Sequence, residues 1–190
     1  MPPLAFSRTG GDNAHDAGTR RQPNPGQVDT TYLLCYPWGA EVIPPFNDRG
    51  ELPPGMHDTT LHEIERTLGF NQKRRRMVQR LRRALRNLQG SGVRRVYLNG
   101  SFTTRKPEPK DIDGCWDADE HVRVESLDPV FLDFAQQRRA MKRKYGVDFF
   151  IANAIEMGSG VPFREFFQLN RDGFRKGLLV LDLDREELKR

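Results

Sequence analysis

Apolar residues along this chain recur with two periods. Between Asn71 and Gly90 they fall at Met77, Val78, Leu81, Ala84, Leu85 and Leu88, spaced 1, 3, 3, 1 and 3. That spacing predicts one helical stripe, with Asn71 as the N-cap. Just before it, Thr60-Leu61-His62-Glu63 has the form of a capping box, and predicts a short helix to Leu68 stopped by Gly69. Dense apolar runs at 93–98, 147–152 and 178–183 predict strands, and a further strand carries residue 111 to about residue 116. Asp128-Pro129, a cap followed by a first-turn proline, predicts a helix running to Gly146 with Phe131, Phe134, Met141 and Tyr145 inward. Pro162 predicts a short aromatic helix through Phe163, Phe166 and Phe167, and Asp172-Gly173 a turn.

The N-terminal part lacks these periods. Residues 1–30 hold few large apolar groups and cannot bury enough surface to offset their ordering entropy, which predicts a disordered or loosely ordered extension. Tyr32-Leu33-Leu34-Cys35-Tyr36 reads as a short strand, and the prolines at 37, 44, 45, 53 and 54 break the stretch after it into turns. The remainder, 31–190, is expected to form one α/β (α+β) domain, a small mixed sheet backed by helices on one side.

Charge adds a candidate surface. The chain of 190 residues carries a net charge of +5. Eight bases (Lys73, Arg74, Arg75, Arg76, Arg80, Arg82, Arg83 and Arg86) lie on the long helix, and no acid falls between 71 and 90. Such a helix is either a solvated face or a groove for nucleic acid or an acidic partner. Two cysteines, Cys35 and Cys115, make no disulfide framework or zinc pattern. The four histidines are scattered without ligand spacing. The N-terminus has no apolar signal region and no run is long enough to span a bilayer, so a cytoplasmic protein is expected.

The chemistry concentrates in residues 93–114. A strand runs into Asn99-Gly100-Ser101; nine residues later come Asp111-Ile112-Asp113. Side chains alternate along a strand, so Asp111 and Asp113 share a face. Like charges so placed are usually held by a cation, and hard oxygen donors suit Mg2+. The Gly-Ser turn offers backbone N–H groups to an anion. Asp148 lies in an apolar strand, on the face opposite Val147, Phe149 and Ile151, where an acid must be paired or metal-bound. A basic residue such as Arg95 is the alternative partner for it. Asp117, Asp119 and Asp133 compete for the place of a third acid.

Together these residues resemble the polymerase-beta-like nucleotidyltransferases, whose pattern is a strand, a Gly-Ser turn, an h-D-h-D pair and a third acid on a later strand. The likeness covers about residues 70–152. Leu52-Pro53-Pro54-Gly55 through Asp113 looks like a poorly characterised bacterial branch of small nucleotidyltransferase-like proteins. The resemblance implies a nucleotidyltransferase fold and Mg2+-dependent transfer of an NMP from an NTP, such as ATP, to an RNA or protein hydroxyl. It implies two Mg2+ ions held by Asp111, Asp113 and Asp148, with Gly100 and Ser101 on the phosphates and Lys106 or Arg105 as further phosphate partners. It also implies an acceptor such as tRNA or a protein, a toxin–antitoxin or phage-defence setting with a cognate antitoxin or partner protein, and no membrane. The chain departs from the pattern at Thr103, Thr104 and Arg105, where a glycine is usual, and at Gly114-Cys115, where bulkier apolar residues are usual. The competing expectation is a catalytically inactive module of the same fold that binds RNA or a partner protein through its basic helix.

Overall fold

Alternating apolar positions in four of the strands build a five-stranded mixed sheet in the order β1-β5-β2-β3-β4. The computed structural model describes residues 43–188; the expectations for residues 1–30 and for the strand at Tyr32–Tyr36 lie outside the described residues. The elements are β1 (Gly55–Thr59), α1 (Leu61–Leu68), α2 (Gln72–Gly90), β2 (Arg95–Asn99), β3 (Ile112–Trp116), α3 (Arg139–Tyr145), β4 (Val147–Ile151), α4 (Phe163–Phe166) and β5 (Gly177–Asp182). The β1–β5 and β3–β4 pairs are parallel, while β2 runs antiparallel to both β5 and β3.

The two faces of the sheet differ. Val96, Leu98, Ile112, Trp116, Val147, Phe149, Leu179 and Leu181 point to the face covered by α1, α2 and α3, and form the main core with Ile64, Leu81, Leu85 and Met141. The intervening positions Tyr97, Cys115, Phe150, Leu178 and Val180 point the other way, onto Phe163 and Phe167 at α4. Period-two alternation thus delivers Asn99, Asp113 and Asp148 to the second, thinly covered face. Trp116 and Cys115 are buried, so both are packing residues, and burial pushes the Cys115 thiol up to about 12.

The helix caps form much as the residues suggest. Thr60 accepts from the Glu63 amide, although the Glu63 carboxylate turns to Arg66 and Thr67 instead of closing the box. Asn71 caps α2 through the Arg74 amide. Gly114 is required by the close approach of β2: a Cβ there would lie 2.3 Å from the Tyr97 carbonyl oxygen. This explains the small residue after Asp113.

One strand goes unmarked in the sequence, and two expectations change. The strand Gly55–Thr59 carries no apolar run, so no periodic signal marks it; its edge position, bonded only to β5, requires none. Asp111 sits one residue before β3 and not within it. The helix expected over 128–146 is instead two short 3-10 turns, Pro129–Phe131 and Ala135–Arg138, followed by α3. Gln136, Gln137 and Arg138 take left-handed φ values of 47°, 56° and 58°. Each such conformation is unfavourable for a residue with a Cβ. Phe134, expected inside, is half exposed. The break brings Arg138 onto Asp148, with which it forms an ion pair.

Candidate metal centre

Asp113 and Asp148 face each other directly, because β3 and β4 pair in parallel with these two residues in register. Asp111, just ahead of β3, joins them. One carboxylate oxygen from each of the three lies within 4.8 Å of the others. The three acids singled out from the pattern therefore converge. Asp117, Asp119 and Asp133 do not join them: Asp117 is engaged with Tyr97 and Arg164, Asp119 with Arg94, and Asp133 with the Ala135 amide.

The charges at the three acids are unequally compensated. Arg138 pairs with Asp148 through both Nε and Nη2, the latter at 3.2 Å, while its guanidinium lies 3.9 Å over the Phe150 ring. Lys142 Nζ bridges Asp148 at 2.7 Å and Asp111 at 3.6 Å. Arg95, the alternative partner for Asp148, lies at the opposite end of β2 from the site. Asp113 has no direct ion pair among the described residues. Its burial, with Asp111 and then Asp148 adding repulsion, pushes its carboxyl up to about 6 against the weaker pull of Lys142 and Lys176. An acid so raised at neutral pH marks a site short of positive charge.

The Gly-Ser turn abuts this acid. Gly100 opens a 3-10 turn over Gly100–Thr103 with φ +76°, and a Cβ on it would lie 1.8 Å from Asp113 Oδ2. Only glycine permits both the left-handed backbone and the approach. Thr103 and Thr104, standing where a glycine is usual, bond back to the carbonyls of Gly100 and Ser101 and close the turn by their side chains. Asn99, paired with Asp113 across β2–β3, donates to the Phe167 carbonyl at 2.6 Å, and its buried Oδ1 has no partner.

Three oxygen donors, one of them under-compensated, and an orphaned buried acceptor beside them fit a hard divalent cation. Arg138 and Lys142 already hold Asp148, so a cation bound through Asp148 would take the place of those contacts.

Several residues at the site escaped the sequence reading. Lys142 and Arg138 lie six and ten residues before Asp148, in a segment whose local pattern suggests a plain helix. Lys176, half buried just before β5, is held below its usual range by burial, with Glu51 and Asp113 opposing. No local motif marks it. Lys106, by contrast, is exposed; its backbone N–H donates to Thr104 Oγ1 and its carbonyl accepts from Arg74.

The bases of α2 make several contacts within the domain, and Lys73, Arg75, Arg76 and Arg83 are also exposed. Arg74 is fully buried and donates to the carbonyls of Leu68, Phe102 and Lys106, which anchors the segment after the Gly-Ser turn. Burial lowers its pKa to about 10, where it remains a cation at neutral pH. Arg75 reaches the Gly69 carbonyl, Arg80 those of Lys142 and Arg143, Arg82 the Glu65 carboxylate and Arg86 the Leu188 carbonyl. Lys73 lies 3.6 Å from Glu108. Six of the eight bases on α2 thus have partners within the domain.

A second acidic group, Asp119, Glu120 and His121, sits on an exposed loop in contact with Arg94. Among the described residues no helix is long and apolar enough to cross a membrane.

No curated protein and no solved structure matches this chain. The model of a family of unknown function, DUF6932, matches residues 44–182, a span that contains all five strands and all three acids. The chain belongs to the DUF6932 family.

Proposed function

We propose that this protein is a metal-dependent nucleotidyltransferase with a polymerase-beta-like nucleotidyltransferase fold. The observation that carries the reading is the convergence of Asp111, Asp113 and Asp148 beside a Gly100-Ser101 turn pressed against Asp113. Asp111, Asp113 and Asp148 would hold two divalent ions, Mg2+ by their donor type, which when bound supply charge neutralisation at the reacting phosphate and its attacking oxygen.

The remaining work falls to the chain. The Gly100 and Ser101 backbone N–H groups, with the Ser101 hydroxyl, hold the β- and γ-phosphates of an NTP. Lys176, already near Asp113, and Lys106 on the exposed loop add phosphate neutralisation. Asp148 orients the acceptor hydroxyl and takes its proton. The acceptor oxygen bonds to the α-phosphorus, the bond to the β-phosphate oxygen breaks, and pyrophosphate leaves with that electron pair. The acceptor is an RNA or protein hydroxyl. A toxin–antitoxin or phage-defence setting rests on the family resemblance alone.

Incubation with labelled ATP, CTP, GTP and UTP, Mg2+ and a cell extract tests the reading. Label should appear on RNA or protein and be absent with Asp111→Ala/Asp113→Ala. A fold that binds partners without catalysis would give no label, and no change in melting temperature with millimolar Mg2+ and NTP.

A further inference from the structure

On the α3 side of the acids lies a depression of about 400 Å³, lined by Arg80, Gln136, Gln137, Arg139, Lys142 and Arg143. Four of the six are cations, and no carboxylate is among them. Arg139, Lys142 and Arg143 stand at i, i+3 and i+4 of α3, so they share one helix face. Arg80 reaches in from α2, and its guanidinium is immobilised by the Lys142 and Arg143 carbonyls at 2.8 and 2.7 Å. Lys142 belongs to both places, since its Nζ also touches Asp148 and Asp111. The depression therefore adjoins the acidic centre.

The strand order gives this position a meaning. Across the sheet, the Gly100-Ser101 turn ends β2, Asp113 lies on β3 and Asp148 on β4, the strand that α3 precedes. The depression lies at the α2–α3 seam, on the helix-covered side of the sheet, and meets the acids through Lys142, while the Gly-Ser turn meets them from β2. A transfer centre takes its donor on one side and its acceptor on the other. With the NTP phosphates at the Gly-Ser turn, the acceptor side is the α3 side. That side offers four cations together with two amide side chains, which suits a repeating phosphate chain with base or sugar edges.

We propose that this depression docks the phosphate backbone of a single-stranded nucleic acid, the acceptor whose hydroxyl is presented to the acids. The assignment to an acceptor rests on the transferase reading; the docking itself does not require turnover.

The test is fluorescence anisotropy with labelled single-stranded RNA and DNA 12-mers of one sequence, in EDTA and across a salt series. The wild-type chain should bind, more weakly as salt rises. Arg139→Glu/Arg143→Glu should weaken binding at least tenfold and reduce the slope of log K on log salt by about 1.4, from the roughly 0.7 released counterions per phosphate contact on single strands. Arg139→Ala/Arg143→Ala should give a smaller loss in the same direction. Arg95→Glu/Arg123→Glu, at the other end of the sheet, should bind within about twofold of wild type. Melting curves confirm that each variant is folded.

A preference between the two oligonucleotides identifies RNA or DNA as the strand. No binding by the folded wild type at low salt, or equal losses in both reversal pairs, overturns the proposal. Equal affinity for polyglutamate of the same charge overturns the nucleic-acid assignment. Asp111→Ala/Asp113→Ala should still bind the strand. Strand binding without label transfer would thus refute the transferase reading and leave the docking site standing.

Discussion

Asp113 offers a quantitative test of the metal centre. Its carboxyl is raised from an ordinary 3.8 to about 6, chiefly by burial and then by Asp111 and Asp148. In the unfolded chain those influences vanish. Between the two values the folded protein binds more protons than the unfolded one, so its stability falls as pH rises through that window. Above pH 6 the ionised Asp113 destabilises the metal-free fold by about 3 kcal/mol, at 1.36 kcal/mol per pH unit. Asp113→Asn removes the charge and nearly keeps the shape. At pH 8 without metal it should therefore stabilise the protein, by about 1–3 kcal/mol once the remaining solvent access is allowed for, or about 3–10 °C in melting temperature for a domain of this size. At pH 4 the advantage should vanish. Mg2+ should reverse the order: wild type gains stability with rising concentration, as any ligand of the native state confers, and Asp113→Asn does not. The assay is thermal unfolding of both proteins from pH 4 to 8, with EDTA or with about 5–20 mM Mg2+, on the order of the concentrations weak carboxylate sites require. An Asp113→Asn variant less stable than wild type at pH 8 in EDTA would refute the reasoning, because it would mean that the ionised carboxylate is already satisfied within the protein.

Three further outcomes rest on particular contacts. Gly100→Ala places a methyl group onto Asp113 Oδ2 at a left-handed φ; it should destabilise the fold by more than about 1 kcal/mol in urea titration and abolish the Mg2+ shift. Arg74→Met orphans three backbone carbonyls and should lose about 2–4 kcal/mol, whereas Arg76→Ala should stay within about 0.5 kcal/mol by the same titration. In a Cys35→Ser background the Cys115 thiol, buried and raised to about 12, should resist a chromogenic disulfide reagent at pH 8 until denaturant is added; rapid native labelling would contradict its burial.

How much of this is readable in one dimension depends on whether the signal is local. Helix α2 and its Asn71 cap, the four apolar strands, and the Gly100-Ser101 and Asp111-Asp113 motifs arise from neighbouring residues. Periodicity and capping therefore expose them directly. Asp148 is legible for a related reason: an acid in an apolar strand demands compensation wherever it ends up. That same demand leaves its partner open, and the partner proves to be Arg138 with Lys142 instead of Arg95.

Tertiary structure decided what local signals cannot carry. It turned Arg74 and Arg80 of α2 inward, onto carbonyls at the ends of α1 and α3 and in the loop after the Gly-Ser turn. It broke the helix expected over 128–146 at three left-handed residues, the last of which, Arg138, pairs with the buried Asp148. It also brought β3 beside β4, although 30 residues separate Ile112–Trp116 from Val147–Ile151. Alone, the chain determines which residues can serve as strand, cap and ligand, because those properties reside in each side chain and its neighbours. Which acids meet, how unequally their charges are met, and which cations border them depend on register and strand order, which only the folded sheet sets.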